Sequence, residues 1–411
     1  MATSAQGPNR ERTLKMNTNE IRSLNDQCVV NTYGARKLAL ARGEGARLWD
    51  ADGREYLDFF AGIAVTNLGH CHPAVTDAVC KQARTLVHVS NLYYIEPQVE
   101  LAGLLAKHSF AARWFFCNGG AEANEAGMKL ARRYWAQKGT PRPGIVTAHH
   151  SFHGRTLATI TATGQPKYHQ GFEPLLPGIV YVPFNDVAAL DAAITPDTGL
   201  VLLEPIQGEG GVRVPSEDYL RQVRDLCDQR NVLLMLDEVQ TGLGRTGKLF
   251  AHEHYGITPD IMTLAKGLGN GVPIGAMGCT EEAASGFGVG SHACTFGGNP
   301  LSTAAAVATL KILTEPGFID AAAAIGDYLF ERLAPLADKH ASIVEVRGRG
   351  LMVGIEMKEA VGPLVERMLE SGVICGPAGP KVLRFIPPLI ITKDDVDRVV
   401  SALDQALGEG G

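Results

Sequence analysis

Three kinds of residue that could act together on one small molecule stand at the ends of apolar runs in this chain. Lys266 follows Ile261-Met262-Thr263-Leu264-Ala265, with Pro259 upstream and Gly267, Gly269 and Gly271 downstream. That pattern reads as a buried strand ending in a loop. A lysine there loses hydration, which lowers its pKa and frees its amine for imine chemistry. Asp237 ends the run Val232-Leu233-Leu234-Met235-Leu236, and an acid at the end of a buried strand is costly unless it meets a cation. Asn118-Gly119-Gly120-Ala121-Glu122 precedes a stretch in which Ala123, Ala126, Gly127, Leu130, Ala131 and Tyr134 recur at helical spacing. The free N–H groups at such a helix start suit an anion.

Two ligands would give Asp237 its cation. One is Mg²⁺ with a nucleotide, because Gly242-x4-Gly247-Lys248 nearly spells a P-loop; Leu249, however, stands where Ser or Thr should bind the metal, which leaves an NTPase as a remote alternative. The other is a protonated pyridine nitrogen. Pyridoxal phosphate needs a lysine, an acid at the ring nitrogen and a seat for its phosphate, and Lys266, Asp237 and the Gly119/Gly120 turn supply all three. Phe152, in His149-His150-Ser151-Phe152-His153-Gly154-Arg155, is placed to stack on the ring. The histidines of that stretch, and His70-Cys71-His72, could be metal corners. Adjacent loop residues rarely all point at one ion, so no metal is expected and these histidines read as solvated.

The elements that must position these residues follow from composition and pattern. A chain of 411 residues that is 45% hydrophobic can bury a large core and form two domains. Net charge is −6 without a basic cluster, which argues against nucleic acid. No apolar run reaches the roughly 18 residues of a membrane span. Residues 1–24 read as a loose tail of a cytoplasmic protein: Arg10, Arg12 and Lys15 alternate with Glu11 and Glu20, and no apolar signal core is present. Eight cysteines occur without a CxxC pair, several of them (Cys117, Cys227, Cys279) in apolar runs, as suits reduced buried thiols.

Residues 31–46 read as an irregular entry. A hairpin around Asp52-Gly53 follows, and then a helix opened by Pro73. From about residue 97 helix and strand alternate, with strands expected at 114–117, 144–148, 200–203, 232–236, 261–264 and 274–279. This predicts an α/β fold with a mostly parallel sheet, in which ligands bind beyond the carboxyl ends of the strands. The residues to inspect there are 118–120, 149–155, Glu204 with Glu209, Asp237 and Lys266. After Pro300 the alternation gives way to helices at 304–313 and 319–336, strands at 343–346, 352–357 and 382–386, and a closing helix capped by Thr392 and Asp395. The expected division is a large domain, 71–300, and a smaller α+β domain built from both chain ends, 25–70 and 301–411.

Several motifs in order then carry a resemblance over nearly the whole chain. They are 116–126 around Asn118-Gly119-Gly120, Phe152-His153-Gly154-Arg155-Thr156, Glu204-Pro205-Ile206-Gln207-Gly208-Glu209-Gly210-Gly211, Leu236-Asp237-Glu238-Val239-Gln240-Thr241-Gly242, Ala265-Lys266 and Thr295-Phe296-Gly297-Gly298-Asn299-Pro300. The chain is similar to class III (subgroup II) pyridoxal-phosphate aminotransferases, and within them most resembles the acetylornithine aminotransferases. The resemblance implies a fold-type I homodimer with its active site shared between subunits. It also implies transamination of N2-acetyl-L-ornithine with 2-oxoglutarate, giving N-acetylglutamate 5-semialdehyde and glutamate, as in arginine biosynthesis.

Carried over by motif, Lys266 would bond the cofactor and move a proton, Asp237 would pair with the pyridine nitrogen and Gln240 would lie near the ring hydroxyl. Phe152 would stack on the ring, and the Gly119, Gly120 and Ala121 backbone would hold the phosphate with Thr295 of the partner subunit. Arg155 would bind a substrate carboxylate. Glu209 and Arg384 match a pair in which the acid neutralises the arginine for one substrate and releases it for the α-carboxylate of the other. Gly119 and Cys294 stand where Ser is common. Ile63 stands where ornithine δ-aminotransferases carry Tyr, which argues against free ornithine; Tyr33 and Asn67 are expected to line the same pocket. Succinylornithine, succinyl-diaminopimelate, 4-aminobutyrate and ornithine remain alternative donors. An aminomutase, or a binding protein that has lost the chemistry, are further alternatives.

Overall fold

The computed structural model describes residues 16–34 and 36–408. The basic and acidic residues of the expected tail up to Lys15 lie outside the described residues. Residues 18–24, read as part of that tail, are instead helical: the helix Thr18–Cys28 is closed by a capping box in which Asn17 accepts from Glu20 N at 3.0 Å while its own N–H donates to the Glu20 carboxylate at 2.9 Å. None of its residues is buried, so no apolar stripe marks it in the sequence.

Strands β1 (Leu40–Glu44), β2 (Arg47–Asp50) and β3 (Glu55–Asp58) form an antiparallel meander. The β2–β3 pairing is the expected hairpin. β1 falls in the stretch read as irregular, because four of its five residues are exposed and show no alternation.

The centre of the molecule is a seven-stranded sheet of β4 (Arg113–Cys117), β5 (Gly144–Ala148), β6 (Ile179–Val182), β7 (Thr198–Leu203), β8 (Leu233–Asp237), β9 (Ile261–Leu264) and β10 (Gly275–Cys279), in the order β4-β10-β9-β8-β7-β5-β6. Only β10 runs against its neighbours. The carboxyl ends of the other strands therefore open on one edge. The inner strands are buried on both faces, which explains their unbroken apolar runs. Leu200, Leu202, Leu233 and Met235 pack with Ala126, Leu130 and Tyr134 of helix Gly120–Gln137. Val201, Leu203, Leu234 and Leu236 pack with Leu220 and Val223 of helix Tyr219–Arg230.

The last third of the chain adds β11 (Ile343–Arg349), β12 (Met352–Met357), β13 (Val373–Ile374), β14 (Gly376–Pro377) and β15 (Val382–Phe385). They form the sheet β11-β12-β15-β14, except β13, which joins the meander by pairing parallel to β3. The two chain ends thus share a layer. Among the described residues no helix is long and apolar enough to cross a membrane.

Candidate active site

A cavity of about 350 Å³ opens at the carboxyl edge of the seven-stranded sheet. Gly119, Gly120 and Ala121 after β4, Phe152 and His153 after β5, Glu204 after β7, Asp237 and Gln240 at the end of β8, and Lys266 after β9 all line it. Four strand ends and one helix start thus deliver the residues that the spacing singled out.

Lys266 opens a short 3-10 turn with φ +44°, a left-handed conformation that a side-chain-bearing residue holds only when its surroundings enforce it. Burial pushes its pKa down, Glu209 opposes that shift, and Arg384 adds to it. The amine is therefore more easily deprotonated than a surface lysine.

Asp237 is nearly inaccessible and has three partners. Asn124 Nδ2 donates to Oδ2 at 2.7 Å, His153 Nδ1 faces the same oxygen at 2.9 Å, and Val239 N donates to Oδ1 at 3.0 Å. Asn124 is itself oriented by Thr263 Oγ1, which donates to its Oδ1 at 2.7 Å. The loop after Asp237 is pinned by buried Glu238, which accepts from Ala251 N at 2.7 Å and His252 N at 2.8 Å. No α-helix follows this loop and Lys248 is exposed, so the Gly242–Lys248 stretch has neither the helix nor the inward lysine of a P-loop.

Gly119 caps helix Gly120–Gln137 in an extended conformation (φ −175°). A Cβ on Gly120 would lie 2.8 Å from Val239, whereas one on Gly119 would meet nothing within 4 Å. The cradle is closed at one glycine and open at the other. An 18-residue helix aims its free N–H groups here, where an anion is favoured.

Glu204 accepts from Phe152 N at 3.0 Å and Gly208 N at 3.2 Å. Burial pushes its carboxyl up to about 7, against the pull of His153. Beside it, Arg384 Nη1 donates to Glu209 Oε1 at 2.5 Å and to Gln240 Oε1 at 3.1 Å. Burial alone would raise the pKa of Glu209, but Arg384 and then Lys266 hold it below the usual carboxylate value.

Not every expected residue reaches the cavity. Arg155 is exposed, its guanidinium 3.9 Å from the centre of the Tyr168 ring. Thr295, Tyr33 and Ile63 are exposed on the single chain, and Cys294 Sγ accepts from Asn118 Nδ2 at 3.2 Å. His153, read as a solvated loop histidine, is buried against Asp237, and His70, read with a possible metal corner, meets Asp58 at 2.7 Å. His153 and Glu204 stand among the strand-end residues that the sequence marks for inspection, but their partners, and Asn124 altogether, escaped sequence reasoning. The one available signal was that His153 and Glu204 follow strand ends.

These residues fit pyridoxal phosphate: the cavity suits a small cofactor, an anion seat and a buried acid lie in it together, and a lysine of lowered pKa lines it. The family profile described as "Aminotransferase class-III" matches residues 30–407. The chain is a class-III aminotransferase. Its cofactor is pyridoxal phosphate. This class-III aminotransferase is 51% identical over 383 residues to an acetylornithine aminotransferase of Caldanaerobacter subterraneus subsp. tengcongensis, covering 93% of this chain and 97% of the relative. Among solved structures, an ornithine aminotransferase from Toxoplasma gondii ME49 superposes with a TM-score of 0.93 at 34% identity, covering 97% and 96% of the two chains. The N-acetylornithine aminotransferase from Stenotrophomonas maltophilia K279a gives 0.82 at 38% identity, covering 94% and 98%.

Proposed function

We propose that this aminotransferase moves the δ-amino group of N2-acetyl-L-ornithine to 2-oxoglutarate, yielding N-acetylglutamate 5-semialdehyde and glutamate. The observation that carries this reading is the Glu209–Arg384 pair beside Lys266. A donor that is uncharged next to its reacting carbon and an acceptor that carries a carboxylate there must use one site in turn. A permanently free arginine would suit only the second. A pair that closes for the donor and opens for the dicarboxylate suits both. Relatives named acetylornithine aminotransferase at about half identity support the donor.

In this reading the Gly119, Gly120 and Ala121 backbone and the helix start hold the cofactor phosphate, joined by Thr295 of a second copy. Phe152 would pack on the ring, and Asp237, fixed by Asn124 and His153, would keep the ring nitrogen protonated. Bound pyridoxal phosphate supplies an electron sink for the reacting carbon. Lys266 Nζ, its pKa lowered by burial, would take the proton from the donor carbon. Arg155 leaves Tyr168 to bind the far carboxylate of both substrates with its planar fork. Ile63 and Tyr33 face the donor chain, Ile63 offering an acyl group apolar surface. Gln240 steadies Arg384 as Glu209 swings away.

The site is completed by a homodimer. Leu92, Tyr93, Tyr94 and Phe296 are 82%, 69%, 102% and 59% exposed. They form one patch, because Asn91 Nδ2 donates to Cys294 O at 3.1 Å and Gly297 O at 2.9 Å, and the His88 and Phe296 rings lie 5.2 Å apart. An apolar patch of that extent beside Thr295 calls for a partner surface. Residues 25–70 with 301–411 act as the small domain and 71–300 as the large one, in a cytoplasmic enzyme.

The test is the kcat/KM of the purified enzyme for N-acetylornithine, free ornithine and 4-aminobutyrate with 2-oxoglutarate, alongside sedimentation. The first donor should lead by at least about tenfold, with a mass twice 43.8 kDa. A lead by ornithine or 4-aminobutyrate overturns the donor, and a monomer that is fully active overturns the shared site.

A further inference from the structure

Arg245 does not line the cavity, yet it is among the largest fully buried side chains. Its Nη1 donates to Leu351 O at 3.0 Å and Pro387 O at 2.5 Å, and its Nη2 to Asn67 Oδ1 at 2.7 Å. All three acceptors are neutral, and its Nε has no partner. Burial lowers its pKa, opposed only by the charge of Asp58. A cation so placed is expensive, and what it gives in return is a donor to three buried acceptors from distant parts of the chain.

Its acceptors share one property, which is their neighbours. Pro387 lies three residues after Arg384 at the end of β15. Asn67 lies against the residue after Lys266, since a Cβ on Gly267 would fall 2.4 Å from Asn67 Nδ2. Asn67 is further held by donating to Leu243 O at 3.0 Å and accepting at its backbone from Leu389 N at 2.7 Å. Leu351 N returns a hydrogen bond to Arg245 O at 3.0 Å. One guanidinium therefore ties the strand that carries Arg384 to the turn that carries Lys266, and that turn has a left-handed lysine to restrain.

We propose that Arg245 is a positioning residue which, through Pro387 and Asn67, fixes the separation between Arg384 and Lys266. The inference rests on the functional reading above. Its consequence is asymmetric. Both half-reactions use Lys266, but only the dicarboxylate half uses Arg384, so loosening the strap harms 2-oxoglutarate more than the donor.

The experiment compares Arg245→Met and Arg245→Lys with wild type as holoenzymes. It measures the pH midpoint of the cofactor's visible band, KM for each substrate, and the Tm. Arg245→Met should shift the band midpoint and raise KM for 2-oxoglutarate roughly 10- to 100-fold. Its donor KM should stay within about twofold, with Arg245→Lys intermediate. A wild-type band with both KM values unchanged overturns the proposal, as does an equal loss on both substrates. If Arg245→Met yields no folded protein, Asn67→Ala decides, because it cuts the lysine arm, together with the Asn67–Leu243 bond, and leaves the Pro387 and Leu351 arms in place. A shifted band midpoint with unchanged KM for 2-oxoglutarate supports the strap, and an unshifted band overturns it. A wild-type protein without any cofactor band fails the functional reading itself, before any variant is made, and takes the strap with it.

Discussion

Glu209 Oε1 lies 2.5 Å from Arg384 Nη1, but the two side chains are unequally enclosed: Arg384 is 1% exposed and Glu209 23%. Arg384 is also fixed by Gln240 and by Pro377 O. Glu209, held by Arg384 and Gln240, is the more accessible of the two. In the proposed function the arginine would be the fixed post and the acid the gate.

Glu209→Gln should leave Arg384 without its counter-charge. Losing one partner of a buried pair costs about 3–5 kcal/mol where nothing replaces it. The donor half-reaction should slow by roughly 10²-fold or more. The 2-oxoglutarate half, which supplies its own carboxylate, should keep its KM or lower it. Single-turnover rates measured separately for the two halves give the answer; equal slowing of both would remove the gate from the account.

Asp237→Asn should cost roughly 10²- to 10³-fold in kcat, because a neutral amide cannot hold a proton on the ring nitrogen and leaves Asn124 and His153 without an anionic acceptor. Cofactor content, measured by absorbance after gel filtration, should fall less than the rate. A variant with near wild-type kcat would show that Asp237 is only a packing residue.

The two glycines of the cradle should differ sharply. Gly119→Ser meets open space in an ordinary extended conformation and adds a hydroxyl beside the helix start, so Tm should hold and cofactor affinity should equal or exceed wild type. Gly120→Ser pushes Cβ into Val239, and overpacking costs about 1–3 kcal/mol. Thermal melts of apo and holo protein, with cofactor titration, test both.

Glu204 gives a pH signature. Its folded pKa of about 7 lies above the ordinary 4.5, so the folded state binds the proton more tightly. The stability this contributes is complete below about pH 4.5 and is lost as pH rises through 7. At most roughly 3 kcal/mol is involved. Glu204→Gln apoprotein should therefore gain stability relative to wild type between pH 5 and pH 8 in denaturant melts. A gap between the two that does not change with pH would mean that Glu204 does not titrate in this range.

The sequence disclosed what periodicity and strand ends can disclose. Strand Gly144–Ala148 and the end of strand Leu233–Asp237 were legible, because strands buried on both faces are apolar throughout and the polar residue that breaks the run marks the site. Strand Ile179–Val182, at the sheet edge and only partly buried, and helix Gly362–Glu370 were not read, since neither ends on a residue that the chemistry needed. His153 looked like its two exposed neighbours, and only the turn that carries Phe152 buries it against Asp237. Arg245 sits inside the stretch that nearly spells a P-loop, and nothing local reveals that its three acceptors come from 106, 142 and 178 residues away.

The most direct measurement is the visible spectrum of the purified enzyme, recorded in a stopped flow as N-acetylornithine, free ornithine or 4-aminobutyrate is mixed in without 2-oxoglutarate. The enzyme should show a yellow band that N-acetylornithine bleaches fastest and that 2-oxoglutarate then restores, and in Lys266→Ala the donor should give no such cycle. A protein that cannot be reconstituted with pyridoxal phosphate, or a band that free ornithine bleaches faster, would contradict this.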